Sequence, residues 1–387
     1  MIKNNPILSI SFRPFFILAA LIAIINPSIW ILSYLGRVSI PLAVVDPLFW
    51  HGHEMIFGFT GALIAGFILT ASANWTNSTP YQGNSLLLLI TVWLVERLSY
   101  FIFNGEHLQL LAMNLFFPIL TLMLFKKLRN FPKQRNIFVP IILGITVAKV
   151  LHSWGYLYSV DYLEDSGREI GIGLIRFIIL LIAGRVIPFF TRKKIEEIDI
   201  NLPNWINPLS LIPVALIAIP WPEAVPRFVL GVILTLAFIA NVSRQALWKP
   251  WVTFKVPILY VLHIGIALIN IELLMELIGL FNDQVHYTQA ALHLLMAGGL
   301  GVVGIGIMTR VSLGHTGRII RADFWTCLSY AAIVVGSLIR VFVPIFFPDI
   351  YIKSLHFASG FWTLSFGIFI IKYFKILTTQ RPDGKPY

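Results

Sequence analysis

Long apolar stretches run along almost the whole chain and are separated by short polar segments. A helix needs about 20 mostly apolar residues to cross a bilayer. The stretches that we assign as spans are residues 15–35, 49–74, 84–104, 107–128, 136–158, 169–190, 206–221, 224–246, 255–279, 285–309, 324–346 and 350–376. The seventh is the shortest, and Pro213 and Pro220 interrupt it. The pattern predicts an all-α membrane protein, a bundle of about twelve transmembrane helices that forms a single polytopic domain over residues 1–387.

Composition excludes the soluble classes of protein. Of the 387 residues, 57% are hydrophobic and 12% are charged, whereas soluble domains contain about 45–50% apolar and about 25% charged residues. A soluble enzyme cannot bury so much apolar surface, and a disordered chain has the opposite bias. The single cysteine, Cys327, excludes an intrachain disulfide and a four-cysteine iron–sulfur site within the chain.

Lysines and arginines are distributed unevenly between the two sides of the predicted bundle. With twelve spans, one side holds both termini and most of the loop cations, and the other side holds only Arg37, Arg168, Arg227 and Lys353. This asymmetry follows the positive-inside rule and predicts that both termini are cytoplasmic. It also explains the net charge of +11 as a result of topology, so we expect membrane lipid and no nucleic acid as partners.

Most of the nine histidines fall in the outer half of the predicted bundle. Histidine within a membrane is costly and by default suggests a function. His152, His263 and His293 lie well inside apolar spans, which favours metal ligation or proton transfer. His107, His286 and His315 favour contact with lipid headgroups, although the loop that holds His315 is also a candidate for proton entry or donor docking.

The segment WHGHEM concentrates polar side chains at the outer end of the second predicted helix. His51, Glu54 and Met55 share one helical face and His53 points elsewhere, so the two histidines can serve two centres. Imidazole suits iron, copper and zinc. A haem here would need ligands from two helices, as in other bundle-core sites. The candidate metal ligands are His51, His53, Met55, His152, His263, His293 and His356.

Charged residues inside the predicted spans have two interpretations. These residues are Glu96, Arg97, Lys149, Arg176, Arg185, Glu272 and Arg340. They either form ion pairs between helices, or some of the arginines hold the propionates of a haem, because a planar guanidinium matches a carboxylate. Arg185 and Arg340 are the candidates for this second role, and Glu96 and Glu272 would then belong to a proton path.

The second and tenth predicted helices resemble each other at an offset of 240 residues. His53 corresponds to His293, and the glycines at 58, 61 and 66 correspond to those at 298, 301 and 306. The sixth and tenth helices match weakly at an offset of 125, where Arg185 corresponds to Arg310. We therefore expect three pseudo-symmetric units of four helices each.

Several long blocks of the sequence resemble the NnrS family of bacterial membrane proteins. They are SFRPFF at 11–16, WHGHEMIFGF at 50–59, AGFILTASANWT at 65–76, GRVIPFFT at 184–191, the LH pairs at 262–263 and 292–293, and MTRVSLGHTGR at 308–318. The resemblance implies a polytopic protein of the bacterial inner membrane that contains haem b and copper. It also implies a link to nitric oxide metabolism, denitrification and resistance to nitrosative stress.

The same resemblance implies which histidines bind metal. His51, His53, His263 and His293 lie in the matching blocks, whereas His152 and His356 are candidates from their depth alone. Three four-helix units would also resemble haem–copper oxidases by analogy of fold. The sixth helix has no histidine, so an oxidase-like copper triad is not reproduced.

Three functions are compatible with the sequence. The first is an oxidoreductase that binds and reduces nitric oxide at a haem–copper site in the outer half of the bilayer, with Glu54 as proton source and a separate electron donor. The second is a non-catalytic haem protein that binds or senses nitric oxide, or passes on electrons or metal. The third is a transporter, which many spans with buried charges also suit.

Overall fold

Helices make up the described secondary structure. The computed structural model describes residues 5–195, 198–222, 224–282 and 285–384. The structure is 80% helical, and no strand occurs among the described residues. Eleven helices in this part of the chain are long and apolar enough to cross a membrane. The prediction of an all-α membrane bundle is confirmed, and the protein is a multi-pass membrane protein.

The helices follow the predicted spans closely and are numbered here in chain order. They are α1 (Phe12–Tyr34), α2 (Pro47–Trp75), α3 (Asn84–Ile102), α4 (Glu106–Leu128), α5 (Pro132–Leu157), α6 (Asp161–Lys194), α7 (Ile206–Leu216), α8 (Arg227–Leu247), α9 (Pro257–Asn282), α10 (Tyr287–His315), α11 (Phe324–Phe346) and α12 (Pro348–Thr378).

The seventh predicted span differs from the others in the structure. α7 contains 11 residues, so it extends about 16 Å along its axis, roughly half of the about 30 Å that a hydrocarbon core measures. Pro213 lies inside α7, and Pro220, which lacks a backbone donor, follows its end. Eleven full-length spans therefore occur among the described residues, where twelve were expected. Both termini can lie on the cytoplasmic side only if α7 and its flanking residues complete a twelfth crossing. The cytoplasmic position of the termini therefore stays a prediction.

The start of α2 is fixed by a side-chain cap. The Asp46 carboxylate accepts hydrogen bonds from the backbone N–H groups of Leu48 and Phe49, at 2.7 and 2.9 Å, and Pro47 occupies the first turn. Acidic N-caps and a proline in the first turn both favour helix initiation. The cap sets the position at which the WHGHEM segment enters the helix.

The chain divides into two compact units. Unit 1 consists of Met1–Ile172, Val311–Ile319 and Phe369–Tyr387, and unit 2 consists of Gly173–Arg310 and Ile320–Ile368. Within unit 1, α1 packs on α2 and α4 packs on α5, whereas within unit 2 α8 packs on both α7 and α9.

α2 and α10 each contain one stretch of π-helix directly after a histidine. Glu54–Phe59 follows His53, and Leu294–Leu300 follows His293. The two stretches begin at the same offset of 240 residues at which the two helices resemble each other in sequence. π-Helical turns are rare and frequently mark functional sites. By contrast, α6 is α-helical over its whole length, so the arrangement in three units stays a prediction.

Candidate functional site

His53 lies in a buried polar cluster of unit 1. The Tyr100 hydroxyl lies 2.6 Å from His53 Nδ1, and the Ser153 hydroxyl lies 3.3 Å from His53 Nε2. Ser153 donates its own hydrogen to the Lys149 carbonyl, so it accepts from Nε2 while Tyr100 donates to Nδ1. The three side chains are buried. Both ring nitrogens of His53 therefore have partners within the protein.

His152 lies beside His53, and the two imidazole rings are nearly parallel. The ring centroids are 5.9 Å apart and the planes differ by 11°, while Phe49 stacks on both rings. His152 Nδ1 donates to the Glu164 carbonyl at 3.0 Å, which leaves the lone pair of the neutral ring on Nε2. The structure thus brings two of the predicted ligands together.

A glycine contact between α5 and α6 positions His152. A Cβ atom at Gly167 would lie 2.2 Å from the backbone nitrogen of His152, closer than any real side chain can approach. The absence of a side chain at this position lets α6 approach α5 closely enough for the Glu164 carbonyl to reach the imidazole ring. The position of His152 therefore depends on helix packing as well as on its own helix.

Four charged side chains next to His53 form a closed ion-pair network. Arg97 donates to both carboxylate oxygens of Glu54, at 2.8 and 3.2 Å, and to Glu96 at 2.8 Å. Lys149 donates to Glu96 at 2.7 Å. All four side chains are buried, and their formal charges cancel. Such a network stabilises the ionised carboxylate of Glu54. The role of Glu54 as a proton source stays a prediction.

Ion pairing also explains the buried charges of unit 2 around Arg176, near the middle of α6. Arg176 donates to Glu272 at 2.5 Å and also pairs with Glu276. The first of the two interpretations, ion pairs between helices, therefore accounts for Glu96, Arg97, Lys149, Arg176 and Glu272.

The structure does not bring the remaining predicted ligands of α2 and α12 into the His53 cluster. His51 Nδ1 lies 2.6 Å from Asn26 Oδ1, and the His51 ring stacks on Trp30 at 4.5 Å. His51 and His53 thus contact different neighbours, as the helical spacing predicts. Met55 is half-buried on the π-helical stretch, and His356 is exposed on the unit 2 part of α12.

His263 on α9 is the most unusual histidine of unit 2. Its side chain is only 2% exposed, and neither Nδ1 nor Nε2 has a hydrogen-bond partner. The Trp248 ring, 6.3 Å away between centroids, is its aromatic neighbour, and Gln245 donates to the His263 carbonyl at 2.7 Å. A buried polar group without a partner is costly, so the imidazole has the chemistry of a ligand for a group that the protein alone does not supply.

Further buried polar atoms without partners lie on α8, on Trp248 directly after it, and on α9. We call Asn241, Arg244, Trp248, His263 and Asn270 the α8–α9 seam. Its unpartnered buried atoms are Asn241 Oδ1, Arg244 Nε, Trp248 Nε1, His263 Nδ1, His263 Nε2 and Asn270 Oδ1. The residues at 241, 244 and 248 share one helical face, and so do those at 263 and 270. Native proteins leave few buried polar groups unsatisfied, so this concentration indicates a binding site.

His293, at the start of the second π-helical stretch, contacts an arginine. His293 Nδ1 donates to the Gln289 carbonyl at 2.7 Å, and Nε2 accepts from Arg340 at 2.9 Å. Arg340 and Gln289 also line a cavity of about 350 Å³, together with Tyr351 and apolar residues of α11. Arg185, the other arginine predicted to hold a propionate, is exposed on α6.

The donor set fits a haem better than it fits a closed metal site. Among the described residues, no group of three or more His, Cys, Asp or Glu side chains is placed to hold a metal ion. A haem iron needs only one or two axial ligands from the protein, and His263 is a buried imidazole with both nitrogens available. For copper, the described part of the chain offers the pair His53 and His152.

The fold and these sites define a multi-pass membrane protein with buried histidines in both of its units. The family model described as NnrS protein matches residues 6–381, which is nearly the whole chain. The chain therefore belongs to the NnrS family, which is linked to the response to nitric oxide. No curated protein and no solved structure matches the chain.

Sequence reasoning missed the residues that surround the histidines. Tyr100 and Ser153 carry no motif, and they meet His53 only because α3 and α5 pack against α2 in unit 1. Arg244 lies in the last turn of α8, where the hydropathy pattern classed it with the cytoplasmic loop cations. Its spacing from Trp248, one helical turn further on, is the signal that could have indicated a shared face.

Proposed function

We propose that the protein is a haem–copper oxidoreductase of the bacterial inner membrane that binds and reduces nitric oxide, with both termini cytoplasmic. The observation that carries the proposal is His263, a buried imidazole in a membrane-spanning helix whose two ring nitrogens have no partner. Nitric oxide is apolar enough to reach such a site from the lipid. Membership of a family linked to nitric oxide supports the choice of substrate.

His263 would hold the haem iron in unit 2. Haem b, when bound, supplies an iron that binds nitric oxide and delivers electrons to it. Trp248 and the surrounding apolar residues of α9 exclude water from the imidazole, which favours a neutral ring with a free lone pair. His293 is the second candidate ligand of this unit, and its Nε2 would have to exchange the hydrogen bond from Arg340 for the metal.

His53 and His152 would hold the copper in unit 1. The lone pair of His152 lies on Nε2, because Nδ1 donates to the Glu164 carbonyl. In His53, Nε2 donates the longer of the two hydrogen bonds, to Ser153, so binding of a metal there would require the ring proton to move to Nδ1. The Tyr100 hydroxyl at Nδ1 would then orient the ring, as partners of metal-binding histidines generally do.

Reduction of nitric oxide consumes protons and electrons. Two molecules of nitric oxide, two electrons from a separate donor and two protons give one molecule of nitrous oxide and one of water. Glu54 lies 3.8 Å from His53 Nδ1 and would be the proton donor beside the proposed copper ligands. Its transfer of a proton requires the bidentate pair with Arg97 to open.

The first test is an optical spectrum of the purified protein, oxidised and dithionite-reduced, with and without nitric oxide, alongside iron and copper analysis. We expect haem b bands that shift with nitric oxide, and loss of these bands in His263→Ala. His107→Ala, which removes an exposed histidine, serves as the matched control and should keep its haem. Protein that contains no haem when haem is supplied during expression would reject the proposal and favour the transporter.

A second candidate function is a haem protein that binds or senses nitric oxide without turnover. The bidentate ion pair between Glu54 and Arg97 favours it, because this pair holds the candidate proton donor in its ionised form. Steady consumption of nitric oxide with an artificial electron donor distinguishes the two functions. Binding at a fixed stoichiometry without nitrous oxide production would support the second.

A further inference from the structure

Most buried arginines of this protein contact either a carboxylate or the C-terminal end of a helix. Arg97 pairs with Glu54 and Glu96, and Arg176 pairs with Glu272. Arg13 donates to the carbonyls of Leu377 and Thr379, at the C-terminal end of α12, where the helix dipole is negative. A buried guanidinium without such compensation carries a large desolvation cost.

Arg244 lacks this compensation. Its side chain is 1% exposed, and it donates to Ser210 Oγ at 3.0 Å and to the Leu180 carbonyl at 2.6 Å. Its guanidinium lies 5.0 Å from the centre of the Trp248 ring, and its Nε has no partner. Both acceptors are neutral, and no carboxylate of the described residues pairs with it. Arg244 is thus a buried cation that needs an anion.

Trp248 is a neighbour that Arg244 and His263 share. The Trp248 ring contacts both the guanidinium and the imidazole, and its Nε1–H also lacks an acceptor. The seam therefore offers a guanidinium and an indole N–H to a negatively charged acceptor, next to an imidazole that offers lone pairs to a Lewis acid. A single ligand that carries both a metal and a carboxylate would satisfy the guanidinium, the indole N–H and the one lone pair of the neutral imidazole.

We infer that Arg244 and Trp248 hold a carboxylate of the ligand that His263 binds, and that in the proposed haem this carboxylate is a propionate. The inference rests on the proposed function and names the residues that recognise the acidic edge of the cofactor. It replaces the sequence-based assignment of the propionates to Arg185, which is exposed, and to Arg340, whose guanidinium contacts His293. Arg244 acts here as a binding residue and has no part in the chemistry at the iron.

The test is a comparison of haem with its dimethyl ester, in which both carboxylates are neutralised. Full-length protein from haem-deficient cells is titrated with each form, and the affinity is read from the haem absorbance. We expect wild type to prefer the free acid by about tenfold or more, as a charge-assisted hydrogen bond produces. Arg244→Gln should bind both forms equally, and Arg244→Lys, which keeps the charge, should retain part of the preference.

Arg310→Gln is the matched control. Arg310 is also a buried cation of unit 2 without a carboxylate partner among the described residues, and it differs from Arg244 in that it stacks on Phe190, at 3.6 Å, and not on Trp248. The control should keep the full preference for the free acid. Equal binding of both forms by wild type would overturn the inference and leave the haem proposal intact. A preference for the free acid that survives in Arg244→Gln and disappears in Arg340→Gln would also overturn the inference and leave the haem proposal intact. If wild type binds neither form, both the inference and the proposed haem are wrong.

Discussion

The buried histidines His53 in unit 1 and His263 in unit 2 differ in their hydrogen-bond partners. In unit 1, His53 has a partner at each ring nitrogen, and the four charges beside it cancel. In unit 2, His263 has no partner among the described residues at either nitrogen, and Arg244, which lies over the same Trp248 ring, pairs with no carboxylate of that part of the chain. Unit 1 therefore forms a complete polar cluster from the polypeptide alone, whereas the seam of unit 2 is incomplete without a further group.

This difference indicates where each unit obtains its stability. Buried polar networks stabilise a fold when all members are satisfied and destabilise it when they are not. Substitutions in the His53 cluster should therefore damage unit 1 directly. The α8–α9 seam of unit 2 should instead respond to the presence or absence of its ligand, because the ligand satisfies groups that nothing else satisfies.

The largest effect is expected when the charge balance of unit 1 is broken. Lys149→Met leaves Glu96 with one cation instead of two and should reduce the free energy of unfolding by about 3–5 kcal/mol, as removal of one partner of a buried pair does. The measurement is denaturation of the detergent-solubilised protein, followed by circular dichroism. Lys126→Met, at an exposed position of α4, is the control and should have little effect.

A double variant sharpens this prediction. Lys149→Met with Glu96→Gln removes one charge of each sign and should recover part of the stability lost in the single variant, since the remaining Arg97 and Glu54 still pair. If the double variant is as unstable as the sum of the two single variants, the charges do not act as a network. Unit 1 would then not be the self-contained cluster that distinguishes it from unit 2.

Ligand removal should act on unit 2. A ligand at about one hundred times its Kd stabilises the folded state by about 2.7 kcal/mol, so protein without haem should unfold more easily. Hydrogen exchange measured by mass spectrometry should show faster exchange in α8 and α9 without haem, while the segments around His53 and Tyr100 change little. Equal increases in both units would contradict the idea that the seam needs a ligand and the His53 cluster does not.

The next effect concerns the packing that holds His152. Gly167→Ala places a Cβ atom 2.2 Å from the His152 backbone nitrogen, so α5 and α6 must move apart, at a cost of about 1–3 kcal/mol. Thermal unfolding measures this cost, and reduced copper binding would report the displaced ring. Gly360→Ala is the control, because nothing lies near a Cβ atom at that position. A loss of stability in both variants would point to a general effect of alanine.

The apolar pattern of the sequence predicts the helices well, but it does not predict which side chains contact the buried polar residues. Helices in lipid must satisfy their own backbone, so apolar length alone located eleven full spans, and only α7, shortened around Pro213, differs. The contacts of His53 depend on which faces of α3 and α5 turn towards α2, which no spacing within one helix encodes. The burial of Arg244 was hidden for a related reason, because a cation at the end of a helix resembles a loop cation in hydropathy.

The smallest effect on stability is expected at Asp46, the N-cap of α2, which is the helix that carries His53. Burial raises the pKa of Asp46, but the hydrogen bonds from Tyr156 and from the backbone N–H groups of Phe49 and Leu48 outweigh it, so the pKa is lowered. A carboxyl group whose pKa is lower in the folded than in the unfolded state stabilises the fold above its unfolded pKa, near about 4. Asp46→Ala should therefore cost about 1 kcal/mol at neutral pH.

The pH dependence of this cost separates the charge of Asp46 from its shape. As the pH falls through the folded pKa, the wild-type carboxylate is protonated and its advantage over Asp46→Ala should decline. Asp46→Asn keeps a capping oxygen without a titrating group, so its stability relative to Asp46→Ala should not change with pH. Melting temperatures of the three proteins between about pH 3 and pH 7 measure both trends. A gap between wild type and Asp46→Ala that stays constant over this range would show that the ionised carboxylate does not stabilise α2, and unit 1 would then depend on its buried network alone.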